Sequence, residues 1–104
     1  ESLHGAVSDN DIQLVKQHLA AGANVNAKNE QGQTPIHLAA KTRKVKKEIT
    51  ELLIEKGADV NVKDRKGRTP LDFAVTGKRA ETEELIRKNG GERGEYKMTI
   101  YQAA

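Results

Sequence analysis

The residues able to do chemistry are few. The three histidines, His4, His18 and His37, are the natural candidates for metal or proton work. None stands at ligand spacing from a cysteine or a carboxylate cluster. Cysteine is absent altogether, so no metal site, thiolate or disulfide is expected. Serine, histidine and aspartate all occur, but no Gly-x-Ser-x-Gly element offers a serine as nucleophile. Asp72 and the stretch from Glu81 to Glu84 have the residue types of a general acid and base. They are better explained as helix-end and solvated-face charges. The glycines mark turns and helix ends at regular spacing and build no phosphate-cradling loop. Neither catalysis nor a cofactor is expected.

One chemical feature rises above this background. Lys41, Arg43, Lys44, Lys46 and Lys47 form a basic stretch, and Lys63, Arg65, Lys66 and Arg68 follow at a distance. The net charge of +3 is unevenly spread: residues 1–33 hold two cations and four anions, residues 34–68 ten and five, and residues 69–104 six of each. Such a patch is either a solvated face or an electropositive rim that steers an acidic protein. Phosphates would also suit these cations. With no aromatic interleaved for base stacking, only salt-sensitive, non-specific binding of nucleic acid would follow.

These residues need a frame. A chain of 104 residues is one compact unit or a short array. Its few aromatics, Phe73, Tyr96 and Tyr101, argue for thin stacked layers of Ala, Leu, Ile and Val rather than a wide core. No apolar run is long enough to span a membrane. No signal peptide is visible, which with the lack of cysteine points to the cytoplasm, although Glu1 in place of Met implies that an upstream segment has been trimmed.

Leu3, Ala6 and Val7 share one face of a short first helix. Ile12, Leu14, Val15 and Leu19 suit a second, which Asp11 caps and Gly22 ends. Residues 23–33 read as a hairpin-like finger, with Asn29 and Gly32 at the first and fourth positions of a type I turn. Thr34 is an N-cap and Pro35 a first helical residue, followed by the small stripe Ile36, Ala39 and Ala40. A helix from about Glu48 to Lys56 turns Ile49, Leu52 and Leu53 inward, and Gly57 ends it. The pattern then repeats: a finger with Asp64 and Gly67, a helix from Thr69-Pro70, and a partner helix from Ala80 to Lys88.

Thr34 and Thr69 are 35 residues apart, as are Gly22 and Gly57, whereas Gly57 and Gly90 are 33 apart. The middle unit therefore carries two extra residues, between its helices, within Lys41 to Lys47. Four blocks repeat in order: Thr34-Pro-Ile-His-Leu-Ala-Ala40, Thr69-Pro-Leu-Asp-Phe-Ala-Val75, Gly22-Ala-Asn-Val-Asn26 and Gly57-Ala-Asp-Val-Asn61. The chain resembles the ankyrin-repeat proteins in both motif and period. Unit one lacks Thr-Pro, unit three has Asp72 in place of His, and Thr82 and Glu83 replace the usual apolar residues. Atypical ends suit capping repeats, whose outer faces meet water.

The resemblance implies an all-α solenoid of helix–turn–helix units with short β-hairpin-like fingers. It implies three repeats over residues 1–91, at about 1–33, 34–68 and 69–91. Residues 92–104 form a tail expected to pack on the last repeat as a short helix. His4 and His37 take equivalent scaffold positions, with Thr34 as the expected partner of His37. The family binds proteins on a concave face of finger tips and first-helix surfaces. Carried over by position, the protein-binding residues are Glu30, Gln31, Gln33, Arg65, Lys66 and Arg68 on the fingers, and Lys41, Thr42 and Thr76 on the helices, with Ser8 and Asp9 in unit one. The expected function is non-catalytic protein–protein interaction by a monomer, with an acidic partner suited to the basic excess. The alternatives are an electrostatic binder of nucleic acid or another polyanion through the middle repeat, and a scaffold, natural or designed, with no dedicated partner.

Overall fold

Among the described residues, four of the six helix starts carry a side chain that satisfies free N–H groups, and the two at Lys47 and Ala80 have no side-chain cap. The structure is a computed structural model that describes residues 2–94. Ser2 caps α1 (Leu3–Ser8) by accepting from Gly5 N at 3.1 Å. Asp11 caps α2 (Ile12–Ala20) by accepting from Leu14 N at 3.1 Å. Thr34-Pro35 and Thr69-Pro70 open α3 (Pro35–Lys41) and α5 (Pro70–Thr76). Proline fits there because its missing N–H would have had no helical partner. The outer helices of the second and third units are α4 (Lys47–Glu55) and α6 (Ala80–Lys88). The tail helix expected beyond residue 94 lies outside the described residues.

The units stack in chain order. The inner helices α1, α3 and α5 pack side by side, and the outer helices α2, α4 and α6 form a second layer. The described chain is elongated, 48 × 26 × 21 Å. Ala6, Ala39, Ala40 and Ala74 are fully buried on the inner helices, so their backbones lie close together. Ile36, Ile49 and Leu53 fill the space between units one and two, and Leu71 and Ile86 the space beneath unit three. None of these helices exceeds nine residues, too short to persist alone in water. Burial against neighbours stabilises them.

The fingers are hairpin-like turns. Among the described residues there is no β-strand; each finger is a turn closed on itself. Asn29 N donates to Gln33 O, and Asp64 N to Arg68 O, both at 2.9 Å. A backbone bond, Arg65 N to Gln31 O at 3.0 Å, joins one finger tip to the next. Gly32 permits that approach: it has φ of +77°, and a Cβ there would stand 3.1 Å from Arg65 N.

The two extra residues of the middle unit lie where the spacing puts them. Asp9–Asp11 and Gly77–Arg79 each link inner to outer helix in three residues, whereas Thr42–Lys46 needs five. Sequence patterning marks this stretch as polar, but Val45 is only 1% exposed and belongs to the core shared with unit one. Arg79, from the next unit, fastens the segment. Its Nη1 donates to the carbonyls of Ala39 (2.6 Å), Ala40 (3.3 Å) and Thr42 (3.1 Å), and its Nη2 to Val45 O (2.5 Å). From the other side Asn10 Oδ1 accepts from Lys46 N at 3.1 Å. A longer linker leaves more carbonyls without helical partners, and one guanidinium collects them.

Leu53, fully buried, has no room to be replaced by outside atoms. Leu53→Ala is expected to cost about 2–5 kcal/mol, read as a lower midpoint in urea denaturation. An unchanged midpoint would contradict the packing described.

Candidate interaction face

His37 occupies the junction of units two and three. Its Nδ1 lies 3.1 Å from Thr34 N and accepts that bond, so it carries no proton. Its Nε2 donates to Arg68 O at 2.9 Å. The imidazole is therefore neutral. Burial lowers its pKa below the ordinary 6.5, outweighing the Arg68 carbonyl and the Asp64 charge, which act the other way. His4 makes the same link one unit earlier, Nε2 to Gln33 O at 2.9 Å. In unit three Asp72 reverses the polarity: it accepts from Thr69 N (2.9 Å), Gly94 N (2.7 Å) and Arg93 Nε (3.1 Å). Burial pushes its carboxyl up, but these bonds outweigh burial and hold it below the usual carboxylate range.

A second ladder runs along the bases of the fingers. Asn26 donates to Gly57 O (3.2 Å) and accepts from Asp59 N (2.8 Å). Asn61 does the same with Gly90 O (3.0 Å) and Glu92 N (2.7 Å). The repeated asparagine of the Gly-Ala-x-Val-Asn block is thus an inter-unit clamp, a role its alternation with valine does not reveal.

The side chains predicted to face a partner divide three ways. Glu30, Gln31, Lys41, Arg65, Lys66 and Thr76 are exposed. Thr42 caps the C-terminus of α3 and gives its carbonyl to Arg79, so it belongs with the linker. Gln33 is a correction: it is 2% exposed and takes no part in the surface. Its Nε2 donates to Asp64 Oδ2 at 3.1 Å, and its Oε1 accepts from Lys41 Nζ at 3.4 Å. Asp64 in turn holds Arg68 through Nε at 3.0 Å. Burial raises the Asp64 carboxyl; the hydrogen bonds from Arg68, Gln33 and Lys66, with the Arg68 charge, outweigh it and lower the pKa.

Phe73 is the residue that sequence reasoning overlooked here. Arg68 Cζ stands 4.7 Å from its ring centre, and Lys41 Nζ 5.8 Å. The edge of His37 meets it at 5.8 Å. An aromatic is therefore interleaved with the cations, contrary to the expectation from linear spacing. The basic set also proves to be two sets. The finger cations lie beside the start of α3, and the Arg43–Lys47 cations beyond its end. Seven residues at about 1.5 Å each put roughly 10 Å between them, near one Debye length at 0.1 M salt. Arg43, Lys46 and Lys47 border an open groove between the first turns of α4 and α6, together with Glu48, Arg79 and Glu81.

Two helix layers, turn fingers between successive units and the Thr-Pro-x-His junction agree with one further observation. The family model for ankyrin repeats, in three copies, matches residues 3–95. The chain is an ankyrin-repeat protein. Ankyrin repeats generally mediate protein–protein interaction and are typically non-catalytic. No curated protein matches the chain. Among the described residues no ankyrin helix is long and apolar enough to cross a membrane, and no group of three or more His, Asp or Glu could hold a metal ion.

The neutral His37 makes stability depend on pH. The unfolded chain binds a proton near pH 6.5 that the folded chain resists, so stability is full above that value and falls as pH drops below it. Urea midpoints measured between pH 7.5 and 5 should show this decline, and His37→Gln should flatten it. An equal slope in the variant would contradict the assignment. The Asp64 and Asp72 contributions are lost separately, as pH falls below the ordinary carboxylate value of 3.8.

Proposed function

We propose that this ankyrin-repeat chain is a monomeric, non-catalytic interaction module that binds an acidic protein segment on the concave face of its fingers and inner helices. One observation carries this reading. The second finger keeps the turn bonds of the first but changes its side chains. Asn29 Oδ1 accepts from Gln31 N and Gln33 N at 2.9 and 3.0 Å; Asp64 Oδ1 accepts from Lys66 N and Arg68 N, both at 2.9 Å. With that geometry maintained, Glu30, Gln31 and Gln33 have given way to Arg65, Lys66 and Arg68. Turn chemistry does not require the cations. Complementary charge at such a rim raises the rate of encounter and sets specificity.

A second reading has its own support. The groove bordered by Arg43, Lys46 and Lys47 gathers cations at the far end of α3, where a sulfated or phosphorylated polymer would find them. The two readings separate experimentally. Binding to a protein captured from lysate should weaken by tenfold or more in Arg65→Glu/Lys66→Glu, with circular dichroism and thermal midpoint unchanged, and should persist in Arg43→Glu/Lys46→Glu. Retention of the partner by the finger variant, and loss by the linker variant, would overturn the concave-face reading. Heparin binding that falls steeply with salt and depends on the linker pair alone would support the polyanion reading.

A further inference from the structure

Between the second finger and α5 the chain builds an arrangement that no repeat needs for its own fold. Arg68 is tied down by its Nε alone, through Asp64, whose side chain is 1% exposed. Its two Nη groups have no acceptor among the described residues, and its side chain is 27% exposed. Lys41 is exposed, and its Nζ makes one long bond to Gln33. The buried pair Gln33 and Asp64 thus connects the two cations, and both cations lie over the Phe73 ring. In unit one the positions equivalent to Asp64 and Arg68 are Asn29 and Gln33, and no such ion pair forms. A buried carboxylate costs desolvation unless it is paired. Here its ion partner is a partly exposed arginine bonded through Nε.

We propose that Arg68, Phe73 and Lys41 form the specificity centre of the concave face, a seat for an acidic side chain flanked by an apolar one. The carboxylate takes the Nη edge of Arg68, where a planar guanidinium makes two parallel bonds. The neighbouring apolar side chain covers the half-buried ring of Phe73, and Lys41 supplies the second positive charge. Gln33 and Asp64 are positioning residues: they touch no partner but hold the guanidinium and the ammonium in place. This inference rests on the concave-face reading and narrows it to a partner chemistry.

The test uses the full chain, labelled with ¹⁵N, and three probes: acetyl-Leu-Glu-Glu-Leu-amide, its Gln-for-Glu counterpart, and inorganic phosphate. The Glu peptide should give saturable shifts of the Arg68 Nε–H and the Phe73 ring protons. Its dissociation constant should rise tenfold or more in Arg68→Lys, which keeps the charge but loses the fork, and stay within twofold in Arg87→Lys, on the outer helix α6. Asp64→Asn should weaken binding and also speed exchange of the Arg68 Nε–H with water, which loss of fold alone would not confine to that proton. If Arg68→Lys disrupts the finger, Phe73→Leu gives the same reading with the packing kept. Equal titration by the Gln peptide, no saturable shift, or phosphate moving Arg68 as strongly with Phe73 unmoved would each overturn the proposal. Seating of the Glu peptide at Arg68, in a chain whose captured partner ignores Arg65→Glu/Lys66→Glu, would leave this seat standing and remove the broader reading. Loss of capture in that pair, with unchanged peptide binding in Arg68→Lys, would do the reverse.

Discussion

A neutral imidazole buried between two layers is the constraint on which the rest of the structure depends. His37 accepts from the backbone that starts its own helix and donates to the backbone that ends the next finger. Each unit is too short to hold its own backbone groups away from water. The link to the following unit turns three marginal pieces into one stack. Beyond α6, residues 93 and 94 present N–H groups to the start of α5, and an acceptor is needed. Asp72 in place of histidine is that acceptor, bonded to Gly94 N and Arg93. The departure from the repeat pattern thus matches the donors that the residue meets.

The same logic explains the longer linker of the middle unit. Extra residues there leave carbonyls of Ala39, Ala40, Thr42 and Val45 without helical partners, and Arg79 reaches across from unit three to satisfy them. Val45 returns to the core, so the cations around it are displayed from a fixed support rather than a loose loop. The stack consequently carries two positive regions on opposite ends of α3. One belongs to the fingers and includes an aromatic ring; the other borders the outer helices and does not. They differ in what they can recognise, which their common charge conceals.

Much of this was legible in the residues. Thr-Pro pairs and closing glycines locate the helices to within a residue, because capping and left-handed termination are local chemistry. The difference between 35 and 33 places the two extra residues between α3 and α4, since period arithmetic needs no coordinates. What local pattern does not show is contact between units. Gln33 reads as a polar finger residue, and only its neighbour Asp64, 31 positions on, makes it a buried bridge. Arg79 looks like one more surface cation, yet its acceptors lie 34 to 40 residues away. Phe73 appears as a helix-core residue until the next finger and the previous helix bring Arg68 and Lys41 to its ring. The signal that could have found them is the repeat offset itself: aligning unit two on unit one sets Asp64 against Asn29 and Arg68 against Gln33. An acid and a base then stand where the fold is content with amides.

Residues common to the repeats hold the layers together, and the residues that differ between the fingers are those we propose for recognition. Hydrogen–deuterium exchange of the chain, free and bound to its captured partner, tests that division most directly. The account predicts slowed exchange on binding at residues 65–68 and 73–76 and around Lys41, with little change in α2 or α6. Protection confined to the outer helices or to residues 43–47 would contradict it.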